Sequence, residues 1–249
     1  MYILMVETTG KYGSAAVIDE DGKCISACST EAMNHLQDIM QLIDFCCKKA
    51  GIQPNELTQI GASVGPGSFT GIRIGVSTAR AMAQMLKIPC IAVSTLEAMA
   101  EKAVVTERKY KYIASIINAR RNQIYGALWK VENNKLVEVF QQKQYMIEEF
   151  LEKIHENNIA PEKVYIIGDG IDAYQDIITE DGKYLLAQKG KRYQDASSAA
   201  KVALRLIQEG KTVSYDKLLP NYMRKSEAEM RLESGTLSKK IGKDRWKTR

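Results

Sequence analysis

The feature that most constrains how this chain can fold is a recurrence. Residues 2–8 (YILMVET), 13–19 (GSAAVID) and 23–30 (KCISACST) read as three strands, and the turns between them, Gly10-Lys11-Tyr12 and Asp19 to Gly22, are short enough for an antiparallel meander. A helix over 34–50, a strand over 59–64, a helix over 69–86 and a strand over 88–93 follow. About 110 residues further on the order returns, with strands at 112–118, 122–131 and 135–141, a helix at 147–155, a strand at 163–167 and a helix from Ile171. Two βββαβα units in tandem predict an α/β protein of two lobes, 1–105 and 106–225. A last helix, 196–210, starts behind Asp195 and ends at Gly210, and chain order assigns it to the second lobe as a closing element.

Within the first unit, Gly65, Pro66, Gly67, Ser68, Phe69, Thr70, Gly71, Ile72 and Arg73 form a strand–turn–helix junction. The glycines admit backbone angles that side chains forbid, Pro66 stiffens the turn, and Ser68 or Thr70 is a natural N-cap. Two readings are open. The glycines let a helix approach a sheet closely, or the turn offers N–H groups to an anion at the helix start. Against the second, the loop lacks the Lys-Ser/Thr of a P-loop and the three-glycine dinucleotide pattern.

The formal charge of +5 points to nucleic acid until it is located. Residues 239–249 (KKIGKDRWKTR) carry six basic groups and one acidic one, leaving 29 basic and 29 acidic residues in the rest. The body is neutral, and 226–249 is a basic C-terminal tail able to touch phosphates without sequence preference. Five cysteines, Cys24, Cys28, Cys46, Cys47 and Cys90, form no CxxC pair and read as buried free thiols. No run is long and apolar enough for a membrane span, and the opening residues do not suit a signal peptide, so the expected location is the cytoplasm. A helical metal pair needs a second ligand three or four residues after His35, and those positions hold Asp38 and Ile39. No nucleophile stands near a base, and no metal site or catalytic residue is assigned.

The tandem resembles the actin-like (ASKHA) architecture of two ribonuclease-H-like lobes. In its nucleotide-using members an Asp ends the first strand and manages Mg²⁺ and phosphate. This sequence has Val6-Glu7-Thr8-Thr9-Gly10 there, with a carboxylate one methylene longer. Val6-Glu7-Thr8-Thr9, His35-Leu36-Gln37, Gly65 to Arg73, Ile88 to Leu96, Ala119-Arg120-Arg121, Gly168-Asp169-Gly170 and Pro220 to Arg224 resemble, in order, the motifs of the TsaB (YeaZ) family. That family is the dimerisation subunit of the bacterial complex that makes N6-threonylcarbamoyladenosine in tRNA. Glu7 replaces the family's usual Asp, and Asn118 and Gln123 flank the double Arg where acidic residues are usual.

The resemblance implies a non-catalytic subunit with no cofactor of its own. ATP and metal would sit on partner subunits, a TsaD-type transferase and a TsaE-type ATPase, with a homodimer when alone and tRNA met through the complex. It implies a vestigial cleft at Glu7, Thr8, Thr9, Arg120 and Arg121, and pairing through the first lobe's helices. On 34–50, Leu36, Ile39, Ile43 and Ala50 form one apolar stripe while Met40, Leu42 and Phe45 remain over; 69–86 is studded with small residues. The expected partner surface is therefore Leu36, Met40, Leu42, Ile43, Phe45, Gly75, Ala79 and Met82. The alternative is a small-molecule kinase or ATPase of the same architecture, which would need a working first-strand carboxylate and a phosphate turn in both lobes.

Overall fold

The computed structural model describes residues 1–106, 110–133 and 135–224. The expected basic tail, 226–249, lies outside the described residues.

Two five-stranded sheets carry the fold. In the first, β1 (Tyr2–Glu7), β2 (Ser14–Asp19) and β3 (Cys24–Cys28) form the antiparallel meander, and β4 (Gln59–Gly65) and β5 (Cys90–Ser94) add in parallel on the other side of β1, giving the order β3-β2-β1-β4-β5. The second sheet repeats this with β6 (Tyr112–Arg120), β7 (Gln123–Glu132), β8 (Lys135–Met146), β9 (Val164–Ile167) and the two-residue β10 (Leu185–Leu186). Its order, read from β8, is β8-β7-β6-β9-β10, the same meander plus parallel pair. β1 is buried from Ile3 to Glu7 and β6 from Ile113 to Ile117, as strands covered on both faces must be.

Helices α1 (His35–Ala50) and α2 (Phe69–Leu86) cover one face of the first sheet. Gly51, left-handed at φ +75°, closes α1, and Ser68 caps α2 by accepting from the Gly71 N–H at 3.2 Å. In the second unit α4 (Ile147–Glu156) and α5 (Gly170–Asp181) occupy the corresponding place. The βββαβα duplication expected from the sequence is present in both halves.

Two helices depart from that expectation. α3 (Thr95–Thr106) follows the strand expected over 88–93, where the sequence reading places no element; its Leu96, Met99, Ala100 and Ala103 belong to the core of the second sheet. The closing helix, α6 (Ala196–Gln208), lies on the first sheet rather than the second. Its Ala196, Ala199, Ala200, Val202 and Ala203 meet Ile3, Met5, Ala16, Ile18, Ile91 and Val93 in a separate core. The alanines bring the helix axis close to the strands, and Ser14 Oγ receives the Ala196 N–H at 2.9 Å. The chain then stays with the first lobe: Val213 bridges Cys90, Leu218 is fully buried in the α1/α2 core, and the Asn221 N–H donates to the Val64 carbonyl at 2.8 Å. The expected boundaries 1–105 and 106–225 are therefore interleaved. α3 serves chiefly the second core, with Ala98 in the first lobe's, and 196–222 serves the first.

Candidate functional site

The ends of β1 and β6 face each other across a cleft of about 800 Å³ between the lobes. Thr9, Gly10 and Lys11 line it from β1, Gly67, Ser68 and Phe69 from the start of α2, Asn118 to Arg121 from the β6–β7 turn, and Gln194 and Arg224 from the returning C-terminal stretch.

Glu7 and Thr8 lie beneath this cleft rather than in it. Glu7 is fully buried, and its Oε1 accepts from both the Thr9 N–H and the Thr9 hydroxyl at 2.6 Å. Oε2 is buried with no partner of hydrogen-bonding geometry, the Ser63 hydroxyl lying beside it. Burial pushes the carboxyl above its ordinary range, more than the neighbouring hydroxyls pull it down. A carboxyl folded back on its own strand end caps that strand, and it is a poor cation ligand.

The Gly65–Arg73 junction follows the close-packing reading. A Cβ on Gly71 would lie 1.9 Å from the Thr8 carbonyl oxygen, and one on Gly67 would lie 2.5 Å from the Thr9 carbonyl oxygen. Thr8 Oγ1 donates to the Gly71 carbonyl at 2.7 Å, and the Ser68 N–H donates to the Thr9 carbonyl at 2.8 Å. The turn's backbone donor at Ser68 is therefore engaged by the loop that follows β1 and is not free for an anion. Phe69 stacks on Tyr222 with centroids 4.5 Å apart, and Arg73 Nε donates to the Tyr222 hydroxyl at 2.9 Å. Arg224 then crosses to the second lobe, donating to the Ala119 carbonyl at 3.1 Å. The Pro220–Arg224 motif is thus a strap over the glycine turn. Its distance in sequence from that turn hid the contact.

His35 is buried, with Nε2 3.0 Å from the Gly10 carbonyl, which assigns the proton to Nε2 and leaves Nδ1 unpartnered. Ile39, one turn on, is core. Among the described residues no three His, Cys, Asp or Glu side chains gather so as to hold a metal ion, and no helix is long and apolar enough to cross a membrane. Of the cysteines, Cys46, Cys47 and Cys90 are buried, whereas Cys24 is half-buried and Cys28 exposed, because β3 is an edge strand.

The expected partner surface divides. Ile43, Gly75 and Ala79 are buried against their own sheet, and a Cβ on Gly75 would lie 2.4 Å from Thr8 Oγ1, so the small residues of α2 serve internal packing. Met82 is half-buried on the same core. On α1 the covered stripe is His35, Ile39, Ile43, Cys46 and Cys47; Leu36, expected in it, is 75% exposed. Leu36 stands one turn from Met40, 54% exposed, on one flank. Leu42 and Phe45 lie on the other, lining a groove against β3 with Ala27 and Cys28.

The family model described as TsaD, tRNA N6-adenosine threonylcarbamoyltransferase, matches residues 29–232. Two relatives described as tRNA threonylcarbamoyladenosine biosynthesis protein TsaB are alike over much of their length. That of Bacillus subtilis (strain 168) is 29% identical over 230 residues, 92% of this chain and 96% of its own. That of Buchnera aphidicola subsp. Schizaphis graminum (strain Sg) is 33% identical over 172 residues, 68% of this chain and 78% of its own. The solved YeaZ from Pseudomonas aeruginosa superposes with a TM-score of 0.73 at 21% identity, over 89% of this chain and 99% of that one, which establishes likeness of fold.

Proposed function

The chain belongs to the TsaB branch of the TsaD family, tRNA N6-adenosine threonylcarbamoyltransferase, and from that premise we propose that it is a non-catalytic scaffold subunit in tRNA threonylcarbamoyladenosine formation, docking a TsaD-type transferase through α1. The observation that carries the docking is the Leu36–Met40 flank. α1 already covers its own sheet with a full stripe, and these two large apolar side chains stand in water beside it. Burying such a side chain against a partner gains roughly 1.5–3 kcal/mol. The non-catalytic reading is supported by Glu7, turned inward, and by Ile39, which fills the core where a second ligand would stand. In this reading ATP and metal belong to the partner subunits, a TsaE-type ATPase joins the larger assembly, and the free chain pairs with itself through the same flank.

The test is Leu36→Asp with Met40→Asp, since both residues are exposed and neither supports the core. Light scattering should show the folded variant losing both self-association and the complex with the TsaD-type subunit. Unchanged pairing would remove α1 from the docking surface. A copurifying kinase activity on a small alcohol substrate would instead favour the alternative.

A further inference from the structure

The cleft carries more positive charge than a neutral body leads one to expect. Lys11, Arg120, Arg121 and Arg224 all line it, drawn from both lobes. Among the described residues none of these four has an ion-pair partner; Lys11 sits 5.4 and 5.6 Å from the Tyr12 and Tyr193 ring centroids, and Arg224 bonds only the Ala119 carbonyl. The acidic residues of the cleft are engaged. Asp172 pairs with Arg192, and Asp169, whose carboxyl burial pushes up, accepts the Asn118 N–H at 3.0 Å.

The double Arg is held there at a cost. Arg120, Arg121 and Asn122 are all left-handed, with φ of +64°, +54° and +58°, a conformation that side-chain-bearing residues seldom adopt three in a row. The Arg120 N–H is held by Asn118 Oδ1 at 2.8 Å, and Asn118 Oδ1 by the Tyr174 hydroxyl at 3.2 Å. The side chains at 118 and 174 thus fix a turn that projects two exposed guanidinium groups. In the floor Gln194, 5% exposed, has an amide Nε2 with no partner and lies against Gly10.

From this we propose that the cleft mouth is an RNA-binding surface that takes the phosphodiester backbone of a tRNA loop on Lys11, Arg120, Arg121 and Arg224; the inference rests on the tRNA-modification reading above. Cations spread over two lobes suit an extended polyanion. A compact triphosphate would need the cradle that the Ser68 N–H and Glu7 do not provide. The half-buried Tyr193 ring, with Lys11 beside it, stands where an unstacked base could lie.

The test uses the full chain reconstituted with its TsaD-type partner and a fluorescent anticodon stem–loop whose adenosine is unmodified. Anisotropy is read from about 50 to 200 mM salt. Arg120→Glu with Arg121→Glu should weaken binding at least tenfold and flatten the slope of log affinity against log salt by about 1.4, the share of two single-strand phosphate contacts. Arg120→Gln with Arg121→Gln keeps the side-chain bulk and should give a smaller loss in the same direction. The comparison variant reverses the tail at Lys243, Lys247 and Arg249. If tail reversal alone accounts for the loss, if the double variant binds like the parent, or if ATP with Mg²⁺ displaces the stem–loop, the proposal fails. Transfer activity separates this from the family reading. A double variant equal to the parent in RNA affinity and turnover sinks only the cleft; a parent chain that never stimulates its partner sinks the scaffold as well.

Discussion

Gly71→Ala is the sharpest probe of how the first lobe is assembled. The new Cβ would stand 1.9 Å from the Thr8 carbonyl oxygen, backbone at the end of the central strand, so relief to an ordinary contact needs a separation of about 1.5 Å more. Either α2 lifts or β1 bends, and both break the 2.7 Å bond from Thr8 Oγ1 to the Gly71 carbonyl. Overpacking of this kind costs about 1–3 kcal/mol and the lost bond about 1, while Ala in place of Gly returns up to about 1 through helix propensity. The net loss is about 1–4 kcal/mol, a fall in Tm of about 2–16 °C for a chain of this size. Two substitutions calibrate the scale. Gly51→Ala meets nothing within 4 Å but must keep φ near +75°, which costs roughly 1 kcal/mol; Gly190→Ala meets nothing, has no such constraint and should change stability by less than about 0.5 kcal/mol. Differential scanning calorimetry of the three, with urea midpoints as a second reading, gives the order. Gly71→Ala melting with Gly190→Ala would refute the claim that the glycine turn welds α2 to β1.

Burial raises Glu7 above its ordinary 4.5, so the folded state holds that proton more tightly than the unfolded one; its share of stability is complete below pH 4.5 and is lost as pH rises through the folded value. Glu7→Gln should accordingly flatten the decline of Tm with rising pH relative to the parent, and parallel curves for the two would show that the carboxyl is ionised in place. Thiol labelling of the native chain with an aromatic disulfide should modify Cys28 quickly and Cys24 slowly, leaving Cys46 and Cys90, both pushed up to about 11 by burial, and Cys47 silent until denaturant is added. Rapid reaction of Cys46 or Cys47 would contradict the covered α1 face.

The elements were legible wherever one residue pattern decides one local conformation. Ser68 before an unbroken Ala- and Met-rich stretch marks the start of α2, and Gly51 after an amphipathic run marks the end of α1. What pattern does not carry is which neighbour an apolar face meets. The α6 stripe is the same whether it covers the first sheet or the second, and its placement depends on close approach of Ala199 and Ala203 to strands almost two hundred residues away. Gly75 and Ala79 were open to the same ambiguity, since small residues let any helix or sheet come near; here Gly75 meets Val6 of β1 and Thr8 just beyond it, and Ala79 is buried in the core of the same lobe. On α1 the expected stripe holds at Ile39 and Ile43 and fails at its first member, Leu36. A buried His35 with its ring bonded to the Gly10 carbonyl starts the covered stripe, which turns Leu36 outward. α3 was missed because its charged positions, Glu97, Glu101 and Lys102, obscure the apolar stripe of Leu96, Met99, Ala100 and Ala103 that faces the second sheet. Of the site, the double Arg and the glycine turn could be read in advance, but the strap from Pro220 to Arg224 is a long-range contact with no local signature.

The return of α6 to the first sheet has a consequence for how the chain is made. When β5 has left the ribosome, Ile3, Met5, Ile18, Ile91 and Val93 present an apolar face whose cover is about 100 residues away. At about 5–20 residues per second that face waits roughly 5–20 s, long enough for collapse and for sheet formation to be over many times. The nascent first half is therefore a natural client for a holdase, and cutting the gene after β5 yields a sticky half-sandwich instead of a free-standing lobe.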